Sequence, residues 1–539
     1  MTRLTCGWHP CAVQTFSLVL LLIAASVPLA LLARWSNLPY AVALVLGGMA
    51  LAFVPFIPHI VLDPQLVLVL FLPPLLQAGA FFMPWRPFRA NLRPILLLAI
   101  GLVACTTAAI GIATKWLLPD LPWAVCFALG AIVSPPDAVA ATAVLEAMRL
   151  PKRIVVVLEG ESLVNDASGL ILYNIAIAAA LTGAFSWSEA AARFVLVGAG
   201  GTLLGAACGL AVVRGLRRLH DPMLEIAVTM LLGYAAYIAA DRLGLSGVLA
   251  TVAAGLVLGW NAPEAMSPQT RVQAKAAWAV LVFLLNSLVF LLIGLSLNEV
   301  VARVAPSALI ELSGIGVLLS LVAVAVRMVW VFPSAYLPRL LVPAIRRRDP
   351  YPPWRWLVII GWTGMRGVVS LAAALAIPTT LPDGTPFPGR DAVLVLTFVV
   401  ILITLVGQAP TLGPLIRWLG IVPEAGAGDP FAAHRQRIAA AGLAALAAKA
   451  DDPLEGAIAR DLLPELSLRA GTAPRRGAHA IEATARLVLL LEARAAERKA
   501  LLALHRSGEL DDDALRALQE ELDLEELRLR RSLAAMRGS

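Results

Sequence analysis

Charge is what this 539-residue chain has least of. Asp, Glu, Lys and Arg make up 15% of it and hydrophobic residues 59%, where a soluble domain is nearer 25% and 45–50%. Mean hydropathy is +0.82. A water-soluble globule of this composition would expose much apolar surface, so one is excluded, and so is a disordered chain. Cysteine is scarce too. Cys6, Cys11, Cys105, Cys126 and Cys208 are too few for a disulfide scaffold. The last three lie in apolar runs, where small thiols are ordinary core residues. Cys6 and Cys11 could bridge only if the N-terminus is extracytoplasmic. No Cys/His cluster has metal-site spacing, and no Gly-x-x-x-x-Gly-Lys-Ser/Thr phosphate loop occurs. Neither a cofactor nor ATP is therefore expected.

Long apolar runs are abundant. Barrel strands alternate apolar and polar residues, whereas these runs are unbroken and about 20 residues long, enough to cross a bilayer as helices. The expected fold is an all-α polytopic membrane protein with spans near 13–33, 37–57, 65–82, 94–117, 122–146, 154–182, 190–213, 223–241, 243–260, 277–297, 306–337, 354–378 and 390–416. The first run is long enough to span and does not read as a cleavable signal.

The net charge of +7 does not call for a nucleic-acid partner, because cytoplasmic loops of membrane proteins face anionic lipid. One set of alternate loops, carrying Arg34, Arg86, Arg153, Arg217, Arg271, Arg346 and their neighbours, holds 17 Lys/Arg, and the other set holds 6. The bias predicts a multi-pass protein of the inner (plasma) membrane with its N-terminus outside and its tail cytoplasmic. Residues 1–416 form the expected membrane domain. Residues 417–430, with Pro423 to Pro430, read as a linker. Residues 431–539 read as a helical cytoplasmic tail, with helical stretches near 431–450, 453–470, 478–506 and 511–536.

An Asp or Arg at the centre of a membrane helix costs about 2.5–3.5 kcal/mol on insertion scales, so such groups are functional candidates by default. They cluster in four spans. The fifth contains Ser134-Pro135-Pro136-Asp137, where two prolines remove backbone donors and should break the helix. Irregular backbone at that depth survives beside a protein-lined cavity. In the sixth, Ser162 and Asp166 are four apart and share a face, and Glu161 and Asn165 form the next stripe. One stripe offers a hydroxyl and a carboxylate to a hard cation. The other offers acceptors to a buried guanidinium. The twelfth supplies Arg366, in Gly361-Trp362-Thr363-Gly364-Met365-Arg366-Gly367, and Glu161 with Asn165 are its expected partners. Arg327, in the eleventh, is assigned a structural role, snorkelling or pairing. The fifth and twelfth spans are seven apart, so two six-span repeats would be inverted copies, each with a broken helix, the design that builds a midplane ion site.

Leu158-Glu-Gly-Glu-Ser-Leu-Val-Asn-Asp166, Gly130-Ala-Ile-Val-Ser-Pro-Pro-Asp137 and Gly361 to Ser370 together resemble the monovalent cation:proton antiporter-1 family of sodium/proton exchangers. Phe71-Leu-Pro-Pro-Leu-Leu76 and Ser246-Gly-Val-Leu-Ala250 add to the likeness, which covers roughly residues 13–416. The resemblance implies a homodimer in which crossing broken helices move like an elevator. It implies that Asp166, Asp137 and Ser162 bind the monovalent cation or proton, with the Pro136 carbonyl available beside them, and that Glu161 and Asn165 hold Arg366. The Asn-Asp pair resembles the electroneutral branch, exchanging one cation, Na+ before K+ or Li+, for one proton. Two positions depart from the family pattern. Many members have Thr where this chain has Pro136, and Glu shortly after Leu-Pro-Pro-Leu-Leu, where Gln77-Ala78-Gly79 stand here. The rival readings are a cation channel and an intramembrane aspartyl protease. The protease gives Glu161, Asn165 and Arg366 no role.

Overall fold

A computed structural model of the chain describes residues 9–36, 38–54, 64–137, 148, 150–302, 304–421, scattered positions between 438 and 448, 478–507 and 512–537. The chain divides into two compact units, Met1–Pro423 and Glu424–Ser539. Regular structure in the described residues is helical, apart from one isolated bridge between Thr380 and Pro386 in a loop.

The first unit runs α1 (His9–Ser36), α2 (Tyr40–Ala52), α3 (Pro64–Phe82), short α4 (Trp85–Ala90), α5 (Leu92–Leu117), α6 (Trp123–Val133), α7 (Lys152–Thr182), α8 (Trp187–Leu216), α9 (Pro222–Arg242), α10 (Gly247–Ala265), α11 (Pro268–Leu295), short α12 (Leu297–Ala302), α13 (Pro306–Leu341), short α14 (Pro343–Arg348), α15 (Trp354–Trp362), α16 (Val368–Leu375) and α17 (Arg390–Trp418). Among the described residues nine helices are long and apolar enough to cross a membrane, and three shorter apolar ones accompany them. The 354–378 span is two helices, α15 and α16, and the second half of the 122–146 span lies outside the described residues. Large apolar side chains such as Leu196, Leu203, Leu231 and Val329 stand exposed on the outer faces, as expected where lipid and not water is the solvent.

Two proline pairs have opposite outcomes. Pro73 and Pro74 sit inside an unbroken α3. Pro74 cannot donate to Leu70, but the hydroxyl of Tyr234, on α9, donates to that carbonyl at 3.0 Å, so a neighbouring helix repairs the ladder. Pro135 and Pro136 end α6 instead, and the carbonyls of Val133 and Pro136 are taken by other elements, described below.

The second unit contains α18 (Ala478–Arg506) and α19 (Asp512–Arg537). They pack as a pair, with Arg498 donating to Asp523 at 2.6 Å and to Glu526 at 2.7 Å. The expected helix at 453–470 lies outside the described residues.

Candidate ion site at two crossing breaks

The site is built on backbone that two breaks leave unpaired. In a continuous helix the carbonyls of Ala131 and Ile132 would accept from residues 135 and 136, but both are proline. The Ser134 hydroxyl donates to the Ala131 carbonyl at 3.2 Å. The carbonyl of Val133 would accept from the N–H of Asp137, yet that N–H donates to the Met365 carbonyl at 2.6 Å. Val133 accepts from Nε of Arg366 at 2.7 Å in its place. The carbonyl of Pro136 accepts from Nδ2 of Asn165, on α7, at 2.8 Å. A buried guanidinium and a buried amide thus cap the end of α6.

The second break, residues 363–367 between α15 and α16, is satisfied in the same way. The Ile360 carbonyl accepts from Nε of Arg327 and from the Thr363 hydroxyl, both at 3.0 Å. The Trp362 carbonyl accepts from the Gln408 side chain, and that of Gly364 from Nη1 of Arg366. The N–H of Arg366 donates to the Thr404 hydroxyl at 3.1 Å. Thr404 and Gln408 belong to a π-helical stretch, Ile403–Gln408, within α17, the kind of local widening that recurs at functional sites. Their signal in the sequence is a polar pair at i, i+4 in an otherwise apolar span.

The two breaks touch directly at the Asp137–Met365 hydrogen bond. A Cβ on Gly367 would fall on the Asp137 carboxylate, so only glycine lets the carboxylate approach this backbone. Asp166 is buried, and its carboxylate interacts electrostatically with that of Asp137. Ser162, one turn before Asp166, is half-buried. Among the described residues no ion pair holds Asp166.

The expected partnership of Arg366 with Glu161 and Asn165 is corrected by these contacts. Glu161 is held by Arg327, with Nη2 donating to Oε2 at 2.8 Å and Nη1 donating to Oε1. Both side chains are almost wholly buried. Asn165 serves the Pro136 carbonyl. Nε and Nη1 of Arg366 donate to the carbonyls of Val133 and Gly364. The physical reason is supply and demand. The breaks create carbonyl acceptors that sequence spacing does not display, and a planar guanidinium can cap two of them at once. Arg327 and Arg366 both flank Gly364, and the single charge of Glu161 lies with Arg327. Gln77, at one of the two departures from the family pattern, is fully buried, and neither amide atom has a partner among the described residues.

Among the described residues no group of three or more His, Cys, Asp or Glu side chains could hold a metal ion. Asp137 and Asp166 supply two interacting carboxylates, whose oxygens are hard donors.

A family model described as sodium/hydrogen exchanger, transmembrane, matches residues 21–418. An uncharacterized Na+/H+ exchanger of Mycobacterium tuberculosis is 32% identical over 530 residues, covering 95% of this chain and 96% of that protein. A sodium, potassium, lithium and rubidium/H+ antiporter of Bacillus pumilus is 36% identical over 379 residues, covering 68% of this chain and 56% of that one. The solved structure of the sodium proton antiporter MjNhaP1 from Methanocaldococcus jannaschii superposes with a TM-score of 0.59 at 20% identity, covering 76% of this chain and 99% of that one.

Proposed function

Because the chain belongs to the sodium/hydrogen exchanger family, it is a multi-pass membrane transporter that exchanges monovalent cations for protons, not an enzyme, and we propose that Asp166, with Asp137 beside it, is where the two ions compete. The observation that carries this is the buried carboxylate of Asp166 at the crossing of two helix breaks, with no ion pair among the described residues while both nearby guanidiniums are engaged elsewhere. Burial penalises a bare carboxylate. It is therefore occupied by a proton or by a cation, and binding one displaces the other. Ser162 adds a hydroxyl. The Pro136 carbonyl accepts from Asn165 with one lone pair and keeps a second for a cation. Arg327, Glu161, Asn165 and Arg366 hold the breaks open without occupying the site.

The proposed cargo is Na+, with K+ and Li+ as alternatives. The Bacillus pumilus relative, whose name includes all three, supports that breadth. The proposed stoichiometry is one cation for one proton, serving cytoplasmic pH and cation homeostasis. The proposed setting is a homodimer in the inner membrane. A cytoplasmic tail is supported by the distribution of basic loops. The channel and protease readings gain nothing from the comparisons, which point to antiporters.

The test is a cation series in proteoliposomes with a pH-sensitive dye inside. Wild type should move protons on addition of Na+. Asp166→Asn should abolish that response while the purified protein keeps its elution profile and thermal unfolding temperature. Substantial exchange in a well-folded Asp166→Asn variant would refute the assignment.

A further inference from the structure

A second cluster of ionised groups lies away from the site, at the end of the helices that carries the basic loops. Asp349 receives three arginines. Nη2 of Arg93 lies 2.7 Å from Oδ2, Nη2 of Arg339 lies 2.6 Å from the same oxygen, and Nη2 of Arg153 lies 2.8 Å from Oδ1. Nε of Arg339 also donates to the Asp349 carbonyl at 3.0 Å, and Nε of Arg153 donates to the Asn91 side chain at 2.9 Å. The Arg339 side chain is 3% exposed, whereas Arg93 and Arg153 are 30% and 33% exposed.

The charges do not balance. One carboxylate faces three guanidiniums, and the next acid along α7 is Glu159, six residues beyond Arg153. Arg93 is the second residue of α5 and Arg153 the second of α7, so two helix N-termini, positive by their dipoles, carry arginine in a first turn that favours acids. Neither first turn contains an acid. A local rule broken twice at one place points to function. Guanidinium forks with incompletely neutralised charge match the oxygens of a phosphate, and basic pockets between membrane helices near the bilayer surface take anionic head groups.

We propose that Arg93, Arg153 and Arg339 around Asp349 form a binding site for a phosphate-bearing anion, from a lipid head group or a soluble phosphate. Its occupant would tie α7 to α13 at their basic ends, the same two helices that Glu161 and Arg327 join at the site. An anion there would steady the helix that carries Asp166.

The experiment uses the full-length protein in detergent, with thermal unfolding followed during titration with phosphatidylglycerol, phosphatidylcholine or inorganic phosphate at fixed ionic strength. Phosphatidylglycerol should raise the unfolding temperature by several degrees over phosphatidylcholine. A matching rise with inorganic phosphate identifies the ligand as the phosphate itself, and its absence identifies the lipid. Arg93→Gln and Arg153→Gln should each lose most of the rise, while Arg346→Gln, outside the cluster, keeps it. Asp349→Asn separates this from a purely structural ion cluster. It should lower the starting unfolding temperature yet enlarge the rise, because removing the carboxylate frees the arginines for the anion. Absence of any rise in wild type, or an Asp349→Asn protein that anions do not rescue, would overturn the proposal. So would equal rises in wild type, Arg93→Gln and Arg153→Gln.

Discussion

Each of the two buried arginines at the site caps carbonyls that a break has exposed. Glu161 caps none. It is matched by one bidentate guanidinium, that of Arg327. Removing one member of such a buried pair costs about 3–5 kcal/mol, because the partner keeps its charge without compensation. Glu161→Ala and Arg327→Ala should therefore each lower protein yield and transport sharply. In a double-mutant cycle read by thermal unfolding, Glu161 with Arg327 should show strong coupling and Glu161 with Arg366 much less. Equal coupling of Glu161 to the two arginines would show that the charge is shared. Arg366→Ala should fail for a different reason, since it strips the caps from Val133 and Gly364. Arg366→Lys should not restore it, because a single ammonium lacks the planar fork.

At the scale of helices, close approach of backbones is set by small residues. Gly201, Gly205 and Gly209 recur every four residues along α8 and face Ser246, which caps α10, and Ala250 and Ala254 within it. A Cβ at Gly205 would collide with the Ala250 carbonyl, which is backbone and cannot swing aside. Without water to drive helices together, such contacts rest on van der Waals fit between small residues. Gly205→Val should separate α8 from α10 and reduce the yield of folded protein in detergent. Gly215→Val, where an added Cβ meets nothing nearby, should be tolerated. Equal yields from the two variants would remove the packing argument. The α6 break belongs to this scale too. Pro135 and Pro136 announce it in the sequence. Its caps come from α7 and from the segment after α15, and nothing in residues 123–137 names them.

For the whole transporter, the proposed one-for-one exchange predicts how it meets a membrane potential. Asn165 is neutral and Asp166 changes occupant, so a cycle carrying one proton one way and one cation the other moves no net charge. A cycle that moved one charge would couple to about 2.3 kcal/mol per 100 mV. Na+ uptake into proteoliposomes should therefore be indifferent to an imposed diffusion potential, set by an ion that is not itself carried. An end-point that tracks the voltage would mean that Asp137 carries a proton as well.

The sequence alone determined the solvent and the element type, and it supplied the candidates for the proposed site. Apolar runs of bilayer length can satisfy their backbone in lipid only as helices, and every ionisable residue left inside them is conspicuous because insertion penalises it. Asp137, Glu161, Asp166, Arg327 and Arg366 were legible for that reason, and so was the break at Pro135-Pro136. The tertiary structure decided who pairs with whom. Glu161 and Asn165 share a stripe, yet Glu161 pairs with Arg327 and Asn165 with the Pro136 carbonyl. The choice depends on where the broken helices leave free carbonyls, and those positions follow from how α6, α7, α13, α15 and α17 cross. Arg366 goes to the carbonyls, Arg327 goes to Glu161, and Thr404 and Gln408 enter the site from a helix whose sequence reads as plain membrane span. Pairing across 166 residues of chain, as between Glu161 and Arg327, is a property of packing, which spacing along one helix cannot encode.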